Sequence, residues 1–448
     1  MLIVISKILV SHEKVLKMLS TYPTESFVLV NDIYLKQQFE QVKGFTGSID
    51  GKTYVLDNIE IDTVKVNYAM FEDFSGIISN IALRIKQFDT SIETNFYGLS
   101  QNLQGTINKV SIKSSLAIRG TSPQSYFLLG STVSASISGL WASITLTAAG
   151  ARQAMSVSFA KTFTASVTDS TFVSSFQSDT PLSSAFTALC QANNAATSSN
   201  ITVRADFKNI LVTTPGMSLI ANSFQAALDK YHVYVNVSFR DTLGSPLRSL
   251  FLISQSLPAG VLISQLHVTA YIDAETQGLS ALSFLPNVEG LVMVQSYIRF
   301  TLRSSSATNF QFQIFQGAGN QVTIRNTSFI GNVTKFTNGN YSTVSQQLDN
   351  SNIESCSFYI LFSLLQKAVN KISVTGIAQQ TTATNIKYSN LYFSEVQDSQ
   401  VAEITLESIM RNGDGGTIHF SVLISFYNKH QKAHISNTKT PSLLKVHL

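Results

Sequence analysis

The sequence predicts an all-β chain: a right-handed parallel β-helix (β-solenoid) with coils of about 22 residues, a short helical N-terminal cap and a helical or loop insertion. Three observations carry that expectation. Asn58, Asn80 and Asn102 fall 22 residues apart, and each precedes an aliphatic residue: Ile59, Ile81 and Leu103. Aligning the three segments puts Val55, Ile77 and Leu99 in one column and Val66, Phe88 and Val110 in another. Within a segment the alternation is strand-like, with Ile59, Ile61 and Thr63 set against Glu60, Asp62 and Val64. A fixed period of this kind marks a solenoid, because one repeat cannot bury its apolar face alone. Coils stacked at about 4.8 Å would let the asparagine side chains bond into an amide ladder.

The elements follow in chain order. Residues 1–42 form an N-terminal segment, read as an end cap or as a candidate secretory leader. Its first ten residues are apolar but interrupted by Lys7; Val15, Leu16, Leu19, Phe27, Val28 and Leu29 supply the apolar groups that would cover an open coil. Residues 43–180 are the first solenoid half, with a register that is clean to about Ile118 and slips after Pro123 and Gly130. Residues 181–231 read as an insertion or hinge with short helices, since Ile220, Phe224, Leu228 and Tyr231 sit at helical spacing and alanines cluster from Ala185 to Ala196. Residues 232–427 resume the solenoid, with 358–365 as a buried strand and a closing turn at 413–416. Residues 428–448 carry Lys429, Lys432, Lys439 and Lys445 and read as a loosely held basic tail.

Composition narrows the class. With 448 residues and 44% hydrophobic side chains there is ample material for a core. Charged residues make up only 13%, against about 25% in an ordinary soluble protein. Ser, Thr, Asn and Gln take their place, an exterior that suits an extracellular or cell-surface protein touching carbohydrate better than a cytosolic enzyme. The net charge of +4 is spread along the chain and gives no electrostatic case for nucleic acid. No apolar run is long enough for a membrane-spanning helix. Two cysteines, Cys190 and Cys356, exclude a disulfide-dense scaffold and a cysteine-rich metal site; they could pair, but nothing in the sequence demands it, and free buried thiols are the reading taken. Oligomeric state stays open.

Reactive motifs are few. Gly51-Lys52-Thr53 invites a phosphate-loop reading, but Thr46 stands where that loop needs glycine, and strand-like Tyr54-Val55-Leu56 follows where a helix should begin. His430 and His434 are spaced for one helical face, without a third ligand nearby. No serine lies in a Gly-x-Ser-x-Gly elbow. Asp62, Asp73 and Asp89 fall in different columns, so no carboxylate pair of the glycosidase kind is set up. Sequons at Asn200, Asn236, Asn326, Asn332 and Asn340 are no more than an Asn-, Ser- and Thr-rich chain produces by chance. The expected catalytic, metal and cofactor sets are therefore empty. The residues singled out are the structural ladder itself.

The glycine phrases carry a resemblance. Phe45-Thr46-Gly47-Ser48-Ile49, Phe74-Ser75-Gly76-Ile77, Gly98-Leu99, Gly139-Leu140, Gly278-Leu279 and Gly290-Leu291-Val292 resemble the core of GLUG-type repeats. The closing glycine of that pattern is replaced throughout, by Ser79, Gln101, Ala142, Ala281 and Met293. The resemblance implies a pectin-lyase-like β-helix and a surface or adhesin-like setting. That fold also hosts polysaccharide lyases and polygalacturonases; Arg84-Ile85-Lys86 and Asp241-Thr242-Leu243 echo fragments of their signatures without the companion elements. The expectation is a non-enzymatic structural or adhesive module contacting glycans or a protein partner. The alternative is a carbohydrate-active enzyme with a degenerate signature.

Overall fold

The computed structural model describes residues 7–60, 69–88, 95–118, 124–148, 154–195, 197–211, 216–225, 227–239, 249–274, 281–286, 288–304, 310–334, 339–342, 344–364, 372–375, 378–397, 404–407, 410–414, 418–427, 433–436 and 443–447. Every strand pair whose register is known is parallel, and almost all regular structure is strand. The chain divides into two compact units, Met1–Ile210 and Leu211–Leu448.

In the first unit, Ile77–Phe88 pairs with Thr106–Ile118, which pairs in turn with Trp141–Ala148; that strand pairs with Val167–Phe186. A second face runs through Phe71–Phe74, Ser100–Leu103, Gln124–Val133 and Ala154–Phe163. Inward residues line up as ladders: Ile78, Ile107, Ile137 and Val167 are buried in register. So are Leu83, Ile112, Ala142 and Phe172. Each coil buries its apolar stripe only by lying on the next, which is why alternating apolar residues here build a solenoid rather than a free-standing sheet.

The second unit repeats the scheme. Leu228–Phe239, His267–Ala274, Tyr297–Ser304, Ser328–Thr334 and Ser357–Leu364 stack in register. Two further parallel sheets complete its coils. Val268, Ile298, Phe329 and Phe358 form one buried ladder, with the last two rings stacked at 5.2 Å. In the neighbouring ladder Gly331 faces the Phe300 ring, so a small residue makes room for a large one on the next rung. The fold is a parallel β-solenoid, consistent with the right-handed sense that parallel crossovers take.

The coil grows past 22 residues: Ser26 still pairs with Ser48, 22 positions on, but the later coils are longer. Ile77 pairs with Thr106, 29 positions on; Ile107 pairs with Ile137, 30 on; Ile298 pairs with Phe329, 31 on. The three asparagines do not form a ladder. Asn58 lies in a register shift between the rungs Leu56/Leu83 and Ile59/Ile85. Asn80 falls between Ser79 and Ile81, which face Asn108 and Val110, so its counterpart is Lys109. Asn102 pairs with Asp73 and Thr132. Ile59, Ile81 and Leu103 are all buried, but on different ladders, facing Ile85, Val110 and Phe74. Val55, Ile77 and Leu99 differ even in exposure, since Ile77 is 48% exposed and Leu99 fully buried. Each asparagine answers a separate local need, and their equal spacing in the chain has no spatial counterpart.

The true period is written in the corners. One residue per coil turns the chain by adopting left-handed backbone: Asn80, Lys109, Gly139, Asp169 and Asn200 in the first unit, then Lys230, Gln265, Gln295, Asn326 and Ser355 in the second. Five residues before each of those last four comes another such corner, at Gly260, Gly290, Gln321 and Asn350. Asn and Gly tolerate this conformation well, and polar residues stand in elsewhere. The residue after the second corner points inward and often carries its own hydrogen bond. Ser296, Thr327 and Cys356 each donate to the carbonyl two residues earlier, as Ser389 does on the next strand, and Leu266 N–H donates to Ser296 Oγ at 3.2 Å.

Three further expectations change. Among the described residues of 181–231 there is no helix: Cys190–Asn193, Ser198–Leu211, Ala221–Phe224 and the start of Leu228–Phe239 are strands. Ile220, Phe224, Leu228 and Tyr231 are all buried, but their helical spacing arises because a corner resets the phase of the alternation. The strand at Ser357–Leu364 buries only one side, with Phe358 and Ile360 inward and Tyr359 outward. The basic tail also continues the coils: Ala433–Ser436 and Leu443–His447 pair with Ile404–Glu407 and Ile418–Tyr427.

At the other end a helical cap is present. Helices Glu13–Leu16 and Met18–Thr21 place Leu16 and Leu19 beside Val10, Phe27, Ile49 and Ile78. The Glu13 carboxylate accepts the backbone N–H groups of Lys36 and Gln37 at 3.2 and 3.1 Å and ties the cap down. Lys7–Val10, the described part of the candidate leader, is a strand paired with Ser26–Leu29.

Candidate functional site

The ladder residues are structural, so a functional surface must come from side chains that point out. On the long-strand face of the second unit, inward positions are valine, isoleucine, phenylalanine and other apolar residues, and every second side chain is forced outward. Register then sets those outward residues in columns across the strands. One column runs His232, His267, Tyr297, Ser328 and Ser357; the next runs Tyr234, Thr269, Arg299, Ile330 and Tyr359. Beside them lie Asn236, Tyr271, Thr301, Asn332 and Leu361. Tyr234, Tyr271 and Tyr359 are each at least 40% exposed, a concentration of open aromatic surface on one face.

Successive residues in a column stand about 4.8 Å apart, the spacing of adjacent strands. The His232 and His267 ring centroids are 5.0 Å apart, and His267 lies 6.3 Å from the Tyr297 ring. Arg303 and Asp273 make an ion pair at 3.8 Å. Arg299, exposed in the middle of the tyrosine column, has no carboxylate within ion-pair distance among the described residues. The face thus offers aromatic rings, amide and hydroxyl groups, and a guanidinium fork, all held on rigid strands. Such a surface can stack on apolar ring faces and hydrogen-bond to polar rims.

On the corresponding strands of the first unit three cations are engaged. Arg84 Nη1 meets Asp57 Oδ2 at 2.9 Å, and Lys86 Nζ donates to Asn58 Oδ1 at 2.8 Å. Lys113 Nζ sits 5.3 Å over the Trp141 ring. Arg84-Ile85-Lys86 is therefore an ordinary strand segment, with Ile85 buried between two tied cations.

Other singled-out residues are dispersed. Asp73 accepts a hydrogen bond from Asn102 Nδ2 at 2.9 Å; Asp62, Asp89 and residues 241–243 lie outside the described residues. Lys52 and Thr53 form a tight left-handed turn followed by the strand Val55–Glu60, so no helix N-terminus follows the glycine. His434 is in a strand, and His430 lies outside the described residues. Among the described residues no three His, Cys, Asp or Glu side chains come together as a metal-binding group, and no helix is long and apolar enough to cross a membrane. Cys190 and Cys356 are free and buried, and burial pushes both thiols up, Cys356 to about 11.

The tyrosine columns were not legible in the sequence, because they depend on the coil length. Sequence reasoning also missed the histidine pair. A signal was present in His232-Val233-Tyr234-Val235 and His267-Val268-Thr269-Ala270, which share an alternation and begin with the same residue.

The fold and this face define a parallel β-solenoid that displays an aromatic, hydrogen-bonding surface. No protein-family model matches the chain, and no curated protein or solved structure matches it.

Proposed function

We propose that the chain is a non-catalytic binding module of a surface or secreted setting, and that it holds a glycan across the strands of the face built by Tyr234, Tyr271, Arg299 and Tyr359. The supporting observation is the exposure of those tyrosines on one face of rigid strands, Tyr234 and Tyr359 in one column and Tyr271 in the next. Tyrosine rings stack on the apolar face of a pyranose while neighbouring Asn, Thr and Arg side chains meet its hydroxyls. Catalysis asks for more: a positioned acid or base and a group to stabilise developing charge. The acid on this face, Asp273, is engaged by Arg303. The adhesin-like setting suggested by the glycine phrases agrees with such a role.

The test is binding of the full chain to a panel of plant, bacterial and host glycans, with Tyr234→Ala, Tyr271→Ala and Tyr359→Ala combined. We expect at least about tenfold weaker binding in the triple variant, about 1.4 kcal/mol, with the fold intact by circular dichroism. Unchanged binding in that variant would remove this face from the function. Release of new reducing or unsaturated ends, abolished by one Asp or Glu substitution, would establish an enzyme instead.

A further inference from the structure

We propose that His232 and His267 form a surface site for a divalent transition-metal ion, with Cu2+ or Ni2+ held ahead of Zn2+. The two residues occupy the same column on adjacent parallel strands, so backbone spacing fixes their separation. A metal bonded to imidazole nitrogen at about 2.0–2.1 Å lies roughly 3.2 Å from the ring centre. Two cis imidazoles on one ion therefore have centroids about 4.5–5.2 Å apart. The observed separation is 5.0 Å, with the rings tilted by 33° rather than stacked flat. The pair needs no backbone movement to reach a chelating separation.

The donor set decides the kind of ion. Imidazole suits copper, nickel and zinc, and affinity for a given nitrogen site follows the order that places Cu2+ highest. With no third His, Cys, Asp or Glu joining the pair among the described residues, the site is open rather than a closed structural zinc centre. Water fills the remaining positions, and these face solvent beside Tyr297 and the tyrosine column. This inference does not depend on glycan binding, since it rests on the two rings alone.

The experiment titrates the metal-free full chain with CuCl2, and separately with NiCl2, by calorimetry at neutral pH. Electron paramagnetic resonance of the copper form reports the nitrogen ligands. We expect one tightest equivalent with two imidazole nitrogens on copper. His232→Gln and His267→Gln should each weaken that equivalent at least tenfold and leave the melting temperature of the metal-free protein unchanged. The double variant should lose it, whereas His12→Gln and His434→Gln should not. An equivalent that survives in the double variant, or a spectrum with a single imidazole, would overturn the proposal and show an adventitious ion only. Should His232→Gln disturb the fold, the His267→Gln titration decides alone.

Discussion

Three glycines in the first unit separate two physical causes of coil stability. Gly44 has φ +59 and nothing within 4 Å of an added methyl group, so Gly44→Ala tests backbone conformation alone. Left-handed backbone costs a residue with a Cβ about 1–2 kcal/mol. Loss of glycine's extra unfolded freedom offsets about 0.5–1 kcal/mol of that. The net cost should be about 0.5–1 kcal/mol. Gly76 has ordinary φ, but its methyl would overlap the Gly47 carbonyl oxygen, which accepts the Ile77 N–H at 2.9 Å. That oxygen cannot retreat without weakening an inter-coil hydrogen bond, so Gly76→Ala should cost about 3 kcal/mol, the upper end of ordinary overpacking. Gly105 combines φ +81 with overlap on the Gly76 carbonyl. Gly105→Ala should cost about 4 kcal/mol or prevent folding. Urea midpoints followed by fluorescence of Trp141, the single tryptophan, give the order directly. The order is the safer readout, because stacked repeats need not unfold in one step. If Gly76→Ala proved no worse than Gly44→Ala, the close stacking of coils at this column would be refuted.

Further outcomes follow from buried polar groups. Tyr126 and Ser114, both buried, share a hydrogen bond of 2.6 Å, and burial pushes the phenol up. Tyr126→Phe should cost about 1–3 kcal/mol by orphaning the serine hydroxyl, and adding Ser114→Ala should recover part of it in a double-mutant cycle of thermal melts. For Asp50, burial raises the pKa, but hydrogen bonds from Lys52 and Asn80 outweigh it and hold the carboxyl below its ordinary value. A depressed carboxylate contributes stability that is present above the unfolded pKa, about 4, and lost as pH falls through the lower folded value. Asp50→Asn should therefore flatten the acid side of the stability–pH curve, and an unchanged acid limb would show that Asp50 contributes nothing. Cys190 and Cys356, buried with raised pKa values, should resist iodoacetamide at pH 8 in the native protein and both react in urea. Rapid native alkylation of either would contradict its burial.

Alternation, a local property, made the strands legible, as at Ile78, Ile107 and Ile137, whereas the solenoid was inferred from a 22-residue period that the later coils do not keep. The coil length was harder. It was present in two phrases noted only for their family flavour: Phe45-Thr46-Gly47-Ser48-Ile49 and Phe74-Ser75-Gly76-Ile77, which begin 29 residues apart. Gly47, Gly76 and Gly105 are the equivalent positions, each needed where coils touch backbone to backbone. Asparagines misled because the chain uses them for corners, bulges and exposed strand positions alike, as Asn80, Asn58 and Asn102 show. The helical reading of residues 217–231 failed for a related reason, since a one-residue corner converts a period of two into a mimic of three and four. The histidine pair was marked in the sequence only by the shared His-Val start of two strands, and its 35-residue separation acquires meaning once the coil is known.

The paired corners bear on how such a chain grows. Gly260 with Gln265, Gly290 with Gln295, Gln321 with Asn326 and Asn350 with Ser355 keep five-residue steps while the distance between coils drifts. Length changes are therefore absorbed outside the corner pair, and the pair acts as a joint of fixed form. Two joints of the same form can be spliced. Excising residues 261–290 would bring Gly260 directly onto Leu291, with Ile263 and Met293, partners across the excised coil, collapsing into one rung. Unequal exchange between genes could add or drop whole coils at such joints without a frustrated intermediate. Binding columns would lengthen or shorten by one rung at a time, so reach along the axis can evolve separately from the chemistry of any single side chain.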